Sequence, residues 1–177
     1  IARNLARRFL PSKAETAFLG GLMHDIGKLL LLQRASSDYA RVLDLVREKG
    51  MTFAEAEGEI FPFDHTEVGH LIGEKWSFSP ELIGIIADHH KTWSQIRSKS
   101  ELTLPCIIKA ADIISHALGH GHPKEFSRLR LKSEELLEEV WEVLGIPSNS
   151  QKDTINEFQR TFDLEFDLYA GNKPQNR

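Results

Sequence analysis

Apolar residues recur at three- and four-residue spacing along nearly the whole chain, and alternating stretches long enough for a half-buried strand are scarce. That periodicity predicts an all-α protein, a compact multi-helix bundle. With 177 residues, 41% of them apolar, one domain over 1–177 can bury a sizeable core. Helices are expected from about Lys13 to Leu32, from Ser37 to Lys49 with Gly50 as a left-handed cap, from His65 to Trp76, from Pro80 to His90 behind Ser79, and from Pro105 to Leu118. Two more run near Ser133 to Leu144 and Ser150 to Leu168. Thr52-Phe53-Ala54-Glu55 has the form of a capping box and opens a short helix that the Phe61-Pro62-Phe63-Asp64 turn ends. The opening IARNLARRFL reads as the middle of an amphipathic helix, so the natural polypeptide is expected to continue upstream of Ile1 with a further helix or region.

Charge and cysteine usage narrow the function classes. Twenty-two Lys and Arg against 26 Asp and Glu leave a net charge of -4 without a long basic run, which argues against direct nucleic-acid binding. Cys106 is the only cysteine, so neither an internal disulfide nor a thiolate zinc cluster can form, as suits a reducing compartment. No apolar run approaches the roughly 20 residues needed to span a bilayer, and no charged-then-apolar segment opens the chain. The expectation is a cytoplasmic protein without a membrane partner.

Ionisable residues sit where apolar ones belong. His24-Asp25-Ile26-Gly27-Lys28 interrupts GGLMHDIGKLLLL, where adjacent charged groups are costly to desolvate without partners. Lys28 follows His24 by one turn and Asp25 by three residues, so all three can face one pocket, although a surface stripe would show the same spacing. His89 follows Ile85 and Ile86 by four and three positions, which suits either a core histidine or a ligand. Asp112 is the only acid in LPCIIKAADIISHAL and needs a cation, a protonated histidine or several donors. His65 opens its helix on the same footing. Imidazole nitrogens and carboxylate oxygens suit Fe, Mn, Ni or Zn. HTEVGH at His65 to His70 is not a metalloprotease motif, because its histidines are five apart. His70, His116, His120 and His122 are expected to stay outside the pocket, and Trp76, Trp93 and Trp141 to serve as packing anchors.

The order His24-Asp25, His65, His89-His90, Asp112 resembles the metal-site order of the His-Asp superfamily of phosphohydrolases. Within it, Glu57-Gly58-Glu59-Ile60-Phe61, His65-Thr66-Glu67-Val68-Gly69, Trp76-Ser77-Phe78-Ser79-Pro80 and Ala87-Asp88-His89-His90 look like the HDOD family. The resemblance covers about Gly20 to Leu118. It implies an all-helical module of bacterial signal transduction, with a regulatory protein or a fused signalling domain as partner and generally without a demonstrated reaction.

By that resemblance His24, Asp25, His65, His89, His90 and Asp112 are metal ligands for one or two divalent ions. Asp25 is suited to bridging, and Lys28 is the residue that approaches a phosphate, so Asp25 and Lys28 are the candidate catalytic pair. The superfamily usually has another ligand histidine on a preceding helix; none precedes His24, so it would lie upstream of Ile1. KTWSQIRSK after His90 lacks the glycine-tyrosine-proline signature of the related cyclic dinucleotide phosphodiesterases. The expected function is a regulatory module with a metal-type pocket; the alternative is a metal-dependent phosphohydrolase or phosphodiesterase acting on a nucleotide or cyclic nucleotide.

Overall fold

A computed structural model describes residues 1–98, 101–121 and 124–169, and for residues 165 and 167–169 the backbone alone. The helices are α1 Ala2–Phe9, α2 Ala14–Met23, α3 Ile26–Arg34, α4 Ser36–Lys49, α5 Phe53–Ile60, α6 His65–Lys75, α7 Pro80–Asp88, α8 Trp93–Ile96, α9 Leu104–Ala117, α10 Ser127–Glu135, α11 Leu137–Leu144 and α12 Ser148–Tyr169. Among the described residues there is no strand, only an isolated bridge between Ser98 and Glu101. The all-α expectation holds. The Thr52–Glu55 capping box forms, Ser79 caps α7 through Leu82 N–H, and Gly50 ends α4 at φ 65°.

Two expected helices are divided. The stretch from Lys13 to Leu32 breaks at His24-Asp25, because Asp25 leaves the helical region (φ -97°, ψ 13°) and α3 starts afresh behind it. The helix expected from Ser133 begins earlier, at Ser127, and is interrupted at Leu136 between α10 and α11. Apolar periodicity runs through both joints, since short helices in sequence can bury the same face. The short α8 carried no expectation, and four residues are too few for periodicity to register.

The core has two parts. One is built on α9, which buries residues around its circumference, among them Cys106, Ile107, Ile108 and Ile114, and gathers Leu5, Ala17, Ile85, Val140 and Trp141. The other gathers Leu31, Tyr39, Val42, Val46, Ala56 and Leu129 from α3, α4, α5 and α10. The His24-Asp25 break joins α2, in the first, to α3, in the second. At Gly27 the backbone of α3 meets that of α6 so closely that a Cβ would run into the His65 carbonyl. That contact sets the distance between Asp25 and His65.

Candidate metal centre

Each candidate ligand stands at the end or inner face of a helix. His24 caps α2, Asp25 precedes α3, His65 opens α6, His89 and His90 follow the last turn of α7, and Asp112 lies on α9. Ligand atoms of Asp25, His65, His89 and His90 all lie within 4.8 Å of one another. Asp25 Oδ1 is 3.3 Å from His65 Nε2 and 3.6 Å from His89 Nε2, and His65 Nε2 is 3.1 Å from His90 Nε2. His24 and Asp112 form an adjoining pair: His24 Nε2 is 3.6 Å from both Asp112 Oδ1 and Asp25 Oδ2. Lys28 Nζ donates to Asp25 Oδ2 at 2.7 Å. His24, Asp25 and Asp112 therefore meet in one place, although the tight four-residue group does not include His24 or Asp112.

The tautomers follow from the partners. His24 Nδ1 lies 3.0 Å from the Gly21 carbonyl and His89 Nδ1 lies 3.0 Å from the Ile86 carbonyl. A carbonyl only accepts, so both Nδ1 atoms carry hydrogen, and the neutral rings turn an Nε2 lone pair inward. His65 Nδ1 faces Glu57 Oε2 at 2.6 Å, the arrangement in which a carboxylate orients a ligating imidazole. Glu57 is fully buried; it also accepts from His65 N at 2.7 Å and from the Tyr39 hydroxyl at 3.1 Å. Sequence reasoning gave Glu57 no site role. Its spacing carried the signal, because Glu57 lies four residues after Phe53 and three before Ile60, on the apolar side of α5.

Burial pulls His89 below the ordinary imidazole value against the nearby Asp25. The ring of His90 is pushed the same way by burial and by the His89 and His65 imidazoles, although the residue is exposed at the pocket mouth. Burial would also lower His24, but Asp112 and Asp25 together raise it. Burial would raise both carboxyls, yet Asp25 is held well below the carboxylate range by His89, Lys28, His24 and His65, and Asp112 by His24 and His116. Asp25 and Asp112 thus stand as carboxylates, Asp25 paired with Lys28 and both beside the His24 imidazole.

The donor set fits a divalent cation. Asp25 Oδ1 and His89 Nε2 are buried and have no hydrogen-bond partner, a costly state for polar atoms 3.6 Å apart. All the donors are nitrogen or carboxylate oxygen, as intermediate transition metals accept. Asp25, His65, His89 and His90 would hold an ion, and His24 and Asp112 stand next to it.

The histidines expected outside the pocket divide. His70 is half-buried on α6 away from the cluster, its Nε2 3.6 Å from Glu74, and His120 stacks on Phe162 with ring centroids 3.6 Å apart. His122 lies outside the described residues. His116 departs from expectation: its Nδ1 is 3.6 Å from Asp112 Oδ1, because a residue four positions along α9 shares the face of Asp112.

The HDOD domain family matches residues 1–92, more than half of the 177. The chain belongs to the HDOD family. The matched span of this HDOD-family chain holds every residue of the tight group, together with His24, Lys28 and Glu57, whereas Asp112 and His116 lie beyond it. A solved "Putative phosphohydrolase" from Shewanella amazonensis SB2B has a similar fold, with TM-score 0.64 and 23% identity over 89% of this chain and 55% of that one. An HDOD domain protein with unknown function from Geobacter sulfurreducens gives TM-score 0.58 and 22% identity over 82% and 57%. The HDOD chain thus spans little more than half the length of either structure. No curated protein matches it with significant similarity.

Beside the His-Asp cluster of the HDOD domain lies a cavity of about 320 Å³, reached by Lys28, His89, His90 and Asp112 from the cluster and by Lys109 and His116 from α9. A second cavity of about 360 Å³ reaches His24 and Asp112 from the side of α1. No helix among the described residues is long and apolar enough to cross a membrane.

Proposed function

We propose that this HDOD domain is a regulatory module of bacterial, cytoplasmic signal transduction. Its His/Asp pocket binds Fe, Mn, Ni or Zn, as one ion or two, together with a small phosphate-bearing ligand, and the occupied state is passed to a regulatory protein or a fused signalling domain. The observation that supports the pocket reading is the buried pair Asp25 Oδ1 and His89 Nε2, each without a hydrogen-bond partner, at the centre of converging imidazoles. A bound ion would supply positive charge to those atoms and Lewis acidity to a phosphate. The protein supplies the rest: Glu57, Gly21 and Ile86 fix the three imidazoles, and Lys28 holds Asp25 while lining the neighbouring cavity.

The test is metal content and thermal stability of chelator-stripped protein on adding Mn, Fe, Ni or Zn. A ligand at a hundredfold over its Kd stabilises by about 2.7 kcal/mol, so the melting temperature should rise near neutral pH. Asp25→Ala should remove most of the rise and His120→Ala should leave it. A melting temperature unmoved by all four metals defeats the metal reading.

Lys28 at the cavity wall favours a second reading, a metal-dependent phosphohydrolase or phosphodiesterase acting on a nucleotide or cyclic nucleotide, since an ammonium there can stabilise charge on a phosphate. Release of phosphate from nucleotides, or opening of cyclic nucleotides to linear monophosphates, that disappears in Asp25→Ala would replace the regulatory reading with this one. Release equal to that variant's background is the expected result.

A further inference from the structure

Three of the four imidazoles around the cluster are fixed through Nδ1: His65 by Glu57, His89 by the Ile86 carbonyl and His24 by that of Gly21. His90 is the exception. Among the described residues no hydrogen bond reaches its Nδ1, and its ring is met by His65 Nε2 at 3.1 Å and by the His89 ring, with centroids 4.0 Å apart. Those neighbours are themselves candidate ligands and give it no outside anchor. His90 also stands past the end of α7, at the pocket mouth. Its direction must come from its backbone.

That backbone is held from α9. Lys109 Nζ donates to the Lys91 carbonyl at 2.7 Å and lies 3.4 Å from the His90 carbonyl, and its charge sits over the Trp93 ring, 5.2 Å from the centroid. One ammonium thus serves two carbonyls beyond the end of α7, where unpaired oxygens and the helix dipole favour a cation. Lys109 is half-buried and stands one turn before Asp112 on the same helix. It lies beyond the 1–92 span matched by the family.

We infer that Lys109 is a positioning residue: by tying the backbone of His90 and Lys91 to α9, it aims the His90 imidazole at the cluster and holds the end of α7 against the helix that carries Asp112. The inference rests on the metal reading above, because the point at which His90 is aimed is the centre it shares with Asp25, His65 and His89. Charge and position make opposite demands here. A lysine near a cation site repels the ion, so a Lys109 that acted through its charge alone would hinder metal binding, and its removal would tighten it. Acting through His90, its removal loosens binding.

Calorimetric titration of chelator-stripped protein with Mn and Ni tests this. Lys109→Met keeps the apolar stem but loses the donor, and should weaken binding about tenfold, the low end of the 10–100-fold lost with an orienting partner. Lys109→Gln, able to serve one carbonyl, should fall between; Lys109→Arg, which keeps charge and several donors, should stay within about twofold of the parent. Should Lys109→Met fail to fold, the Gln and Arg variants carry the same comparison. Added to His90→Ala, Lys109→Met should change the affinity by less than about twofold, since the residue it acts through is gone. In metal-free protein Lys109→Met should shift the ring signals of His90 in nitrogen-15 NMR spectra and leave those of His24, which Gly21 holds. Metal affinity unchanged or tightened in the Met and Gln variants, a full tenfold loss persisting in the His90→Ala background, or unmoved His90 signals overturns the proposal. Parent protein that takes up no metal sinks the pocket reading and this role together; a parent that binds metal no better than Lys109→Met refutes the role alone.

Discussion

Replacing Glu57 should separate what holds the fold from what tunes the pocket. Its carboxyl takes three hydrogen bonds, from His65 N, His65 Nδ1 and the Tyr39 hydroxyl, in a site with no solvent exposure. Glu57→Ala leaves three buried donors without an acceptor, each costing about 1–3 kcal/mol. Partial relaxation and entry of water reduce the sum, so the expected destabilisation is about 3–5 kcal/mol. That is a large part of the roughly 5–15 kcal/mol that holds a domain together. Glu57→Gln keeps the volume and an oxygen acceptor and should cost about 1–2 kcal/mol. It removes the carboxylate that orients the His65 imidazole, however, and loss of such an orienting partner weakens metal binding about 10–100-fold. Urea unfolding of metal-free protein measures the first effect and calorimetric Mn or Ni titration the second. If Glu57→Ala stays within about 1 kcal/mol of the parent, or Glu57→Gln binds metal as the parent does, the role given to Glu57 is wrong.

Gly27→Ala should cost at least about 3 kcal/mol and abolish metal-dependent stabilisation, since the added methyl would strike the His65 backbone carbonyl and push α3 from α6; a urea midpoint matching the parent would contradict this. Metal-free protein should lose stability as pH falls below the ordinary imidazole value of 6.5, because the unfolded chain protonates His89 and His90 while the folded chain, with both lowered, resists. For buried His89 the loss is up to about 2 kcal/mol at pH 5, and for the more exposed His90 less. Raised His24 acts oppositely, its contribution complete below 6.5 and lost as pH rises through its folded value, whereas lowered Asp25 and Asp112 contribute from above 3.8 down to their folded values. Urea midpoints from pH 8 to 5 that stay flat or rise would refute the balance of two lowered imidazoles against one raised.

Much of the fold could be read from the chain because its signals are local. The capping box at Thr52, the Ser79-Pro80 start and the glycine after Lys49 each act within a few residues. The residues that meet at the cluster were legible as ionisable groups in apolar company. What escaped was whatever depends on contacts distant in sequence. Tyr39 meets Glu57 across 18 residues, and Lys132 meets Glu55 from another part of the chain. His116 escaped for a different reason: its i+4 relation to Asp112 is local, but loop histidines just beyond it made a solvated end of the helix the more natural reading.

The break at His24-Asp25 shows how the chain marks a carboxylate for the pocket. Asp64 and Asp25 both stand at helix N-caps, where aspartate normally accepts from the first-turn amides. Asp64 does so: its Oδ1 takes Thr66 N at 2.8 Å, the Thr66 hydroxyl at 2.6 Å and Glu67 N at 3.3 Å. Asp25 makes no capping bond to α3. Its Oδ2 turns to Lys28, and its Oδ1 lies buried among imidazoles without a donor. Forgoing the cap sacrifices about 1 kcal/mol of helix stability, and stranding Oδ1 costs about 1–3 kcal/mol more. Asp64 caps from an extended backbone (φ -112°, ψ 179°), whereas the backbone of Asp25, at ψ 13°, is out of that conformation and its carboxylate goes to the cluster instead. In an unbroken helix, moreover, His24 and Asp25 would point about 100 degrees apart; the turn between α2 and α3 lets both reach one centre, with His24 Nε2 3.6 Å from Asp25 Oδ2. The local costs gain nothing for the helices they interrupt, and they make physical sense where a cation supplies the partner that Asp25 Oδ1 and His89 Nε2 lack.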